Sequence, residues 1–318
     1  MKCLPVPRPR VYDLYWYFAA ERQKVFEARA AGLCQPWTKD PILQTYKFCN
    51  VFRAADRVSQ YLIRDVVYDV GPCTLADRLF QIVAFRFFSK SKTWDSLRAR
   101  LGHQPTLADL KNGAFTRALD ETKNKNQGLY TGAFILCATN AFGQSSKHLN
   151  HVELFRKMFL IDRLGERLLT AKSLREVYDL LHEYPLIGDF MAYQLAIDLN
   201  YSEQINFSEN EFTQAGPGAL RGLKKVFTSF GDCTPTETIL WMVEQQQKEF
   251  ARLGFRFNGL RGRPLHAIDC QGLFCEVDKY CRVAMPELAS ARTRIKAKFS
   301  PLTQPIHYFF PPKWGING

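Results

Sequence analysis

Residues 207–227 read "FSENEFTQAGPGALRGLKKVF" and bring together two kinds of group that transfer chemistry uses. Glu209 and Glu211 are carboxylates able to take or give a proton. Gly216-Pro217-Gly218 imposes a tight, non-helical backbone that a ligand can approach, and Arg221, Lys224 and Lys225 follow at a helix start. Backbone donors and cations in that arrangement suit a phosphate or a pyrophosphate. A Gly-Pro turn leading into a basic surface helix fits the same letters, so both readings stand.

Two further stretches are dense in charge. "HAIDCQGLFCEVDKYCRVAMPE" places Asp269, Glu276, Asp278 and Lys279 among Leu273, Phe274 and Val277 with helical spacing. Unpaired buried charge is costly, so this is either a paired core network or a site, with Asp269 and Lys279 as candidates. In "NVFRAADRVSQYLIRDVVY", Val51, Ala55, Val58, Leu62 and Val66 mark a core face. Arg53, Arg57, Gln60 and Arg64 then share another face, and Arg22 and Arg29 share one on the preceding helix. Two such stripes are expected to contact phosphates, unless both are ordinary solvated faces.

Other chemistries are missing from the letters. No G-x-x-x-x-G-K-[ST] run, no G-x-G-x-x-G and no G-x-S-x-G occurs. His148 and His151 in "KHLNH" fit a metal pair less well than a solvated helix face. Cys270, Cys275 and Cys281 include no C-x-x-C pair and read as buried thiols rather than a zinc or iron–sulfur site. No metal and no cofactor is therefore expected.

The elements that hold these groups read as helices throughout. Asp40-Pro41 is an N-cap followed by proline at the first helical place. Thr74, Thr93, Ser173 with Glu176, and Thr234 with Glu237 are further starts; Gly102 and Gly254 are stops. Sustained period-two alternation is hard to find, so the fold class is all-α. Loops are expected near 31–39, 102–106, 121–127, 202–219 and 254–268. One unit of two helical lobes is expected, with N-terminal helices over 12–120, a hairpin-containing part over 128–285 and an irregular basic tail over 286–318.

With 318 residues, 46% of them hydrophobic, the chain can bury a sizeable core. Its net charge of +12 points to a polyanionic partner, nucleic acid before an anionic membrane surface. No apolar run reaches the roughly 20 residues of a membrane span. Nine scattered cysteines suit a reducing interior, so an intracellular place is expected: host cytoplasm if viral, nucleus if eukaryotic.

Residues 184–192, "YPLIGDFMA", join two amphipathic segments. Pro185, Ile187, Gly188 and Ala192 resemble the turn of helix-hairpin-helix DNA glycosylases, although Leu186 stands where that turn has its first glycine. Such a turn aims backbone N–H groups at a DNA phosphate, which makes Gly188 a candidate contact. The resemblance implies a catalytic carboxylate about twenty residues on, where Glu209 and Glu211 lie. Phe190 stands where base-excision enzymes of the lyase type hold a lysine.

The blocks "PWTKDPIL", "AGPGALRGLKK" and "IDCQGLFCEVDKYCRV" resemble the DNA thymine-hypermodification family. That family joins the helical domain of 5-hydroxymethyl-deoxyuridine DNA kinases to the alpha-glutamyl/putrescinyl thymine pyrophosphorylases, which are amino acid:DNA transferases. The resemblance runs from about residue 12 to 285 and implies a helix-hairpin-helix DNA glycosylase-like fold, two lobes around a cleft. It implies double-stranded DNA bearing a modified thymine as substrate. An amine or amino acid would displace pyrophosphate from the 5-methylene carbon, with a separate kinase as a possible partner.

In that reaction Arg53, Arg57, Arg221 and Lys224 would face the leaving group, helped by Arg22 and by the backbone at Gly216 and Gly218. Glu211 or Glu209 would take the proton from the ammonium. Trp37, or Tyr46, would stack on an extruded base. The alternatives are a DNA glycosylase acting on modified thymine and a non-catalytic DNA-binding domain beside a kinase.

Overall fold

The structure is a computed structural model that describes residues 3–124, 128–131, 140–288, 292–295, 297–300 and 307–317. The chain opens with β1 (Val6–Pro7), α1 (Pro9–Ala30) and α2 (Pro41–Thr45). Next come α3 (Arg57–Tyr61), α4 (Leu75–Phe88), α5 (Ser91–Leu101), α6 (Leu107–Asn112) and α7 (Ala114–Asn124). After them run α8 (Lys147–Phe155), α9 (Leu164–Thr170), α10 (Leu174–His182) and α11 (Asp189–Leu199). The last elements are α12 (Pro217–Val226), β2 (Phe227–Ser229), α13 (Pro235–Arg252) and α14 (Ala267–Ala284). β1 and β2 pair antiparallel and form the one sheet among the described residues, so the all-α expectation holds.

The chain divides into two compact units that are discontinuous in sequence. The first takes residues 1–56, 212–308 and 316–318; the second takes 57–211 and 309–315. The first unit's core is aromatic. Tyr15 and Trp16 of α1 meet Phe274 of α14 and Phe250 of α13 with ring centroids 4.7 and 5.1 Å apart, and Phe18 meets Phe48 at 5.3 Å. The second unit is built on α4, which is buried along nearly all its length and packs Phe80 against Phe115, Phe155 and Phe159. A helix buried on nearly every face belongs at a centre, with its few polar groups paired. Arg86 of α4 and Asp198 of α11 form a buried ion pair there.

Local signals explain the helix starts. Thr74 with Asp77 and Thr234 with Glu237 form reciprocal capping boxes, and Ser173 accepts from the Glu176 N–H. Thr93 does not start a helix. α5 begins two residues earlier at Ser91, and the buried Thr93 hydroxyl donates to the Leu129 carbonyl at 2.9 Å. α7 runs on to Asn124, into the stretch read as a loop, while 125–127 and Cys137 lie outside the described residues.

Residues 50–68 are not one helix. A 3-10 turn at Arg53–Ala55 gives way to an extended Asp56, then to α3 and a π-helical turn at Leu62–Val67. The Arg53–Arg57–Gln60–Arg64 stripe is therefore not formed. The break follows from side-chain competition: Asp56 Oδ1 accepts the Asn50 N–H at 2.9 Å, and Asp269 Oδ1 accepts the Arg53 N–H at 3.0 Å.

A candidate base-recognition cavity in the first unit

The block "PWTKDPIL" is organised by one carboxylate. Asp40 Oδ1 accepts from the Ile42 and Leu43 N–H groups at 2.8 and 3.0 Å, capping α2. Its other oxygen accepts the hydroxyls of Tyr17 and Tyr280 at 3.0 and 2.7 Å. Burial together with the neighbouring Asp40 carboxylate pushes both phenols well above their ordinary range. Thr38 donates to Glu21 at 2.6 Å, and Trp37 Nε1 donates to the Leu33 carbonyl at 2.7 Å. The loop after α1 is thereby pinned to α1 and α14, with Trp37 held at its edge.

Trp37 lines a cavity of about 180 Å³ with Arg22, Arg29, Tyr46, Phe48, Asn50, Phe299 and Tyr308. Its walls mix aromatic rings with polar side chains, among them Gln35, Thr38 and Gln44, a lining that can both stack on and hydrogen-bond a planar ligand. The Arg29 guanidinium lies over the Trp37 ring, 5.9 Å from its centroid. Arg29 Nη2 is buried with no hydrogen-bond partner among the described residues. A buried guanidinium N–H left open by the protein suits an acceptor brought by a ligand.

Behind one wall lies a paired charge network. Arg22 Nη2 donates to Asn50 Oδ1 at 2.6 Å, and the Asn50 N–H donates to Asp56. Glu276 Oε2 accepts the Cys49 N–H at 3.1 Å, and its Oε1 meets Lys279 Nζ at 2.5 Å. Burial pushes Asp56 up to about 6; the Asn50 N–H pulls against this, Glu276 adds to it, and Arg22 and Arg53 limit it. A carboxylate poised there can exchange a proton near neutral pH. Lys279 behaves oppositely, since burial opposes its charge but Glu276 more than offsets this and holds it protonated.

The other expected residues have identifiable places. Asp269 is buried, caps α14 through the His266 N–H at 3.1 Å and holds the Arg53 N–H, which is structural work. In "GPGALRG" Gly218 and Gly222 serve packing. A Cβ at Gly222 would lie 2.0 Å from the Phe274 carbonyl oxygen, and one at Gly218 would lie 2.8 Å from Cys275 Sγ. Gly216 is the buried N-cap of α12. Arg221, Lys225 and Arg282 converge on the fully buried Asp278 at 3.2, 3.0 and 2.5 Å. Burial raises that carboxylate, but the hydrogen bonds from Arg282 and Lys225 outweigh it and hold it low. Lys224 is exposed and makes no ion pair among the described residues.

Arg57, Gly188, Glu209 and Glu211 belong to the second unit. Arg57 and Glu211 are exposed, and Glu209 is buried. Gly188 is the exposed N-cap of α11, and a Cβ there would meet nothing within 4 Å. Leu186, in the place of the missing glycine, takes φ +70°, a left-handed conformation that glycine adopts freely and leucine does not.

His148 and His151 are not on a solvated face. Both are buried: His148 Nε2 bonds Asp120 at 2.7 Å and His151 Nδ1 bonds the Tyr130 hydroxyl at 2.9 Å. Among the described residues no His, Cys, Asp and Glu group fits a metal, and Cys270 and Cys281 are buried thiols. Sequence reading passed over Asn50, Phe299, Tyr308 and the role of Asp278. Of these, only Asp278 carried a local signal, a carboxylate four residues before Arg282 on the same helix.

Residues 9–290 match the helical domain of 5-hmdU DNA kinases, which covers most of the chain, and the chain belongs to that family. It is thus a member of the thymine-hypermodification group. The 5-hmdU DNA kinase of Bacillus phage SP10 is 25% identical over 328 aligned positions, spanning 95% of this chain and 50% of that protein. The chain spans about half the length of this curated relative. No solved structure matches. No helix among the described residues is long and apolar enough to cross a membrane.

Proposed function

We propose that this chain binds DNA bearing a modified thymine and replaces the pyrophosphate of a 5-pyrophosphoryloxymethyl group with an amine, the methylene staying on the base. The observation that carries the reading is the open N–H of Arg29 over Trp37 in an aromatic cavity. At about 180 Å³ this space is on a single-base scale, below the ~300 Å³ at which drug-sized sites begin. An extruded pyrimidine would stack on Trp37 or Tyr46 while Arg29 and Arg22 face its anionic substituent.

Each group in the step has a task. The attacking ammonium gives its proton through one water to Asp56 behind the Asn50 wall, its nitrogen forms a bond to the 5-methylene carbon, and the carbon–oxygen bond breaks toward pyrophosphate. Asp56 is preferred over Asp269, which is spent on a helix cap, because the Asn50 N–H ties Asp56 to the cavity lining. Exposed Arg57 and Lys224 would add phosphate attraction, and the α10–α11 turn would offer backbone donors at Gly188, as in a helix-hairpin-helix glycosylase-like fold.

A second reading is favoured by one fact: the relative named a DNA kinase is about twice as long as this chain. In that reading the chain recognises modified DNA for a kinase and does no chemistry itself. Incubating modified duplex DNA with protein and a pool of amines separates the cases. A new aminated nucleoside marks the transferase, alkali-labile abasic sites mark a glycosylase, and retention on DNA with unchanged nucleosides marks the recognition domain.

A further inference from the structure

We infer that Gln44 selects a uracil-type ring over a cytosine-type ring in the cavity, its amide oxygen accepting the N3–H that only the uracil-type ring carries. The inference rests on the cavity being the base seat. Gln44 lines that cavity beside Leu43 and Tyr46. Stacking on Trp37 and contacts to the 5-substituent do not separate the two rings, since both have a π-face and both can carry the same group at C5. Discrimination has to come from an atom that meets the pairing edge of the base.

The Gln44 amide is held in one orientation. Its Nε2 donates to the Thr38 carbonyl at 2.6 Å, and only the NH2 end of an amide can answer a carbonyl oxygen. Oε1 is therefore the open end, and no group among the described residues donates to it. The backbone beneath is fixed as well. Gln44 stands in α2, which Asp40 caps through Ile42 and Leu43, and its own N–H donates to the Asp40 carbonyl at 3.0 Å. Thr38, which supplies the accepting carbonyl, is itself tied to Glu21 of α1. A loose amide could turn over and offer its NH2 group to a cytosine-type N3; this one cannot do so without losing the bond to Thr38.

The two rings present opposite edges to that oxygen. A uracil-type ring has an N3–H donor between two carbonyl oxygens, whereas a cytosine-type ring has a bare N3 acceptor beside an amino group. Gln44 is exposed at the cavity edge, so water satisfies Oε1 while the seat is empty. Seating the uracil-type ring exchanges that water for the N3–H. Seating the cytosine-type ring removes the water and sets one lone pair against another, leaving both acceptors unpaired. A site built to hydrogen-bond one group rejects the analogue lacking it far more strongly than an apolar pocket rejects a missing methylene.

The test uses the full chain and duplexes carrying one 5-hydroxymethyluracil or one 5-hydroxymethylcytosine. Each is placed opposite an abasic site, so that neither base has a pair to lose on extrusion. Affinities are measured for the wild type, Q44A, Q44E and W37A. The wild type is expected to prefer 5-hydroxymethyluracil by roughly tenfold or more, and Gln44→Ala to remove most of that preference. Gln44→Glu also loses the bond to Thr38 but presents an acceptor whichever way it turns, so it is expected to keep the preference while binding both duplexes more weakly. Trp37→Ala is expected to weaken both alike. If W37A weakens both while Q44A keeps the wild-type ratio, Q44E loses it as Q44A does, or the wild type has no preference, the inference is overturned and the base seat stands. If W37A leaves both affinities unchanged, the base seat itself fails and the inference falls with it.

Discussion

Asn50 joins Arg22 to Asp56. Its carboxamide oxygen takes the guanidinium at 2.6 Å while its backbone N–H reaches the carboxylate at 2.9 Å. A cation at the cavity wall and a carboxylate with a raised pKa are thus two ends of one short chain. Because Asp56 is raised to about 6, above its unfolded 3.8, its stabilising contribution is complete below about 4 and is lost as pH rises through about 6. Asp56→Asn is therefore expected to gain thermal stability relative to the wild type at pH 7.5 compared with pH 4. A difference in Tm that does not vary with pH would show that Asp56 is not the group described. The same substitution is expected to abolish amine transfer while leaving DNA affinity within about twofold.

Gly222 and Gly188 predict opposite outcomes for the same change. Gly222→Ala puts a methyl 2.0 Å from the Phe274 carbonyl oxygen, between two packed helices. A loss of about 1–3 kcal/mol or more is expected in chemical denaturation. Gly188→Ala meets nothing and has φ −83°, so the fold is expected to keep its stability within about 1 kcal/mol. A large loss at Gly188 would mean that the turn is tighter than described.

Leu186 holds φ +70° in the α10–α11 turn. Leu186→Gly removes a left-handed leucine whose conformation costs roughly 1–2 kcal/mol, offset in part by glycine's larger unfolded-state entropy. No loss, or a gain of up to about 1 kcal/mol, is expected. A marked destabilisation would assign the side chain a packing role that outweighs its strain.

His151 is buried against Tyr130, and burial, with Lys147 and His148 nearby, pushes it down to about 3. Its folded value lies below the unfolded 6.5, so its contribution is complete above about 6.5 and is lost as pH falls toward 3. Acid-induced loss of stability between pH 6.5 and 4 is expected to shrink in His151→Gln. An unchanged acid limb would place the sensitivity elsewhere.

Signals confined to a few neighbouring residues were legible. Asp40-Pro41, Thr74 and Thr234 cap as expected, because a cap depends on residues three apart. The hydrophobic stripe of residues 51–66 was misleading, because Asp56 and Arg53 are bound by groups outside it that break the helix. Gly218, read with Gly216 as a backbone a ligand can approach, lies close to Cys275, a neighbour far along the chain that no local pattern indicates. The cavity itself was illegible: residues 22, 37, 50, 299 and 308 meet only after folding, and no spacing links them.

The most direct measurement is mass spectrometry of nucleosides from duplex DNA carrying pyrophosphorylated 5-hydroxymethyluracil, incubated with the protein and mixed amines. The expected result is a 5-aminomethyl-linked thymine derivative with one pyrophosphate released per nucleoside formed, absent with Asp56→Asn and strongly reduced with Arg29→Ala. Unchanged nucleosides with the wild-type protein on every amine, or product formed equally well without Arg29 and Asp56, would contradict it.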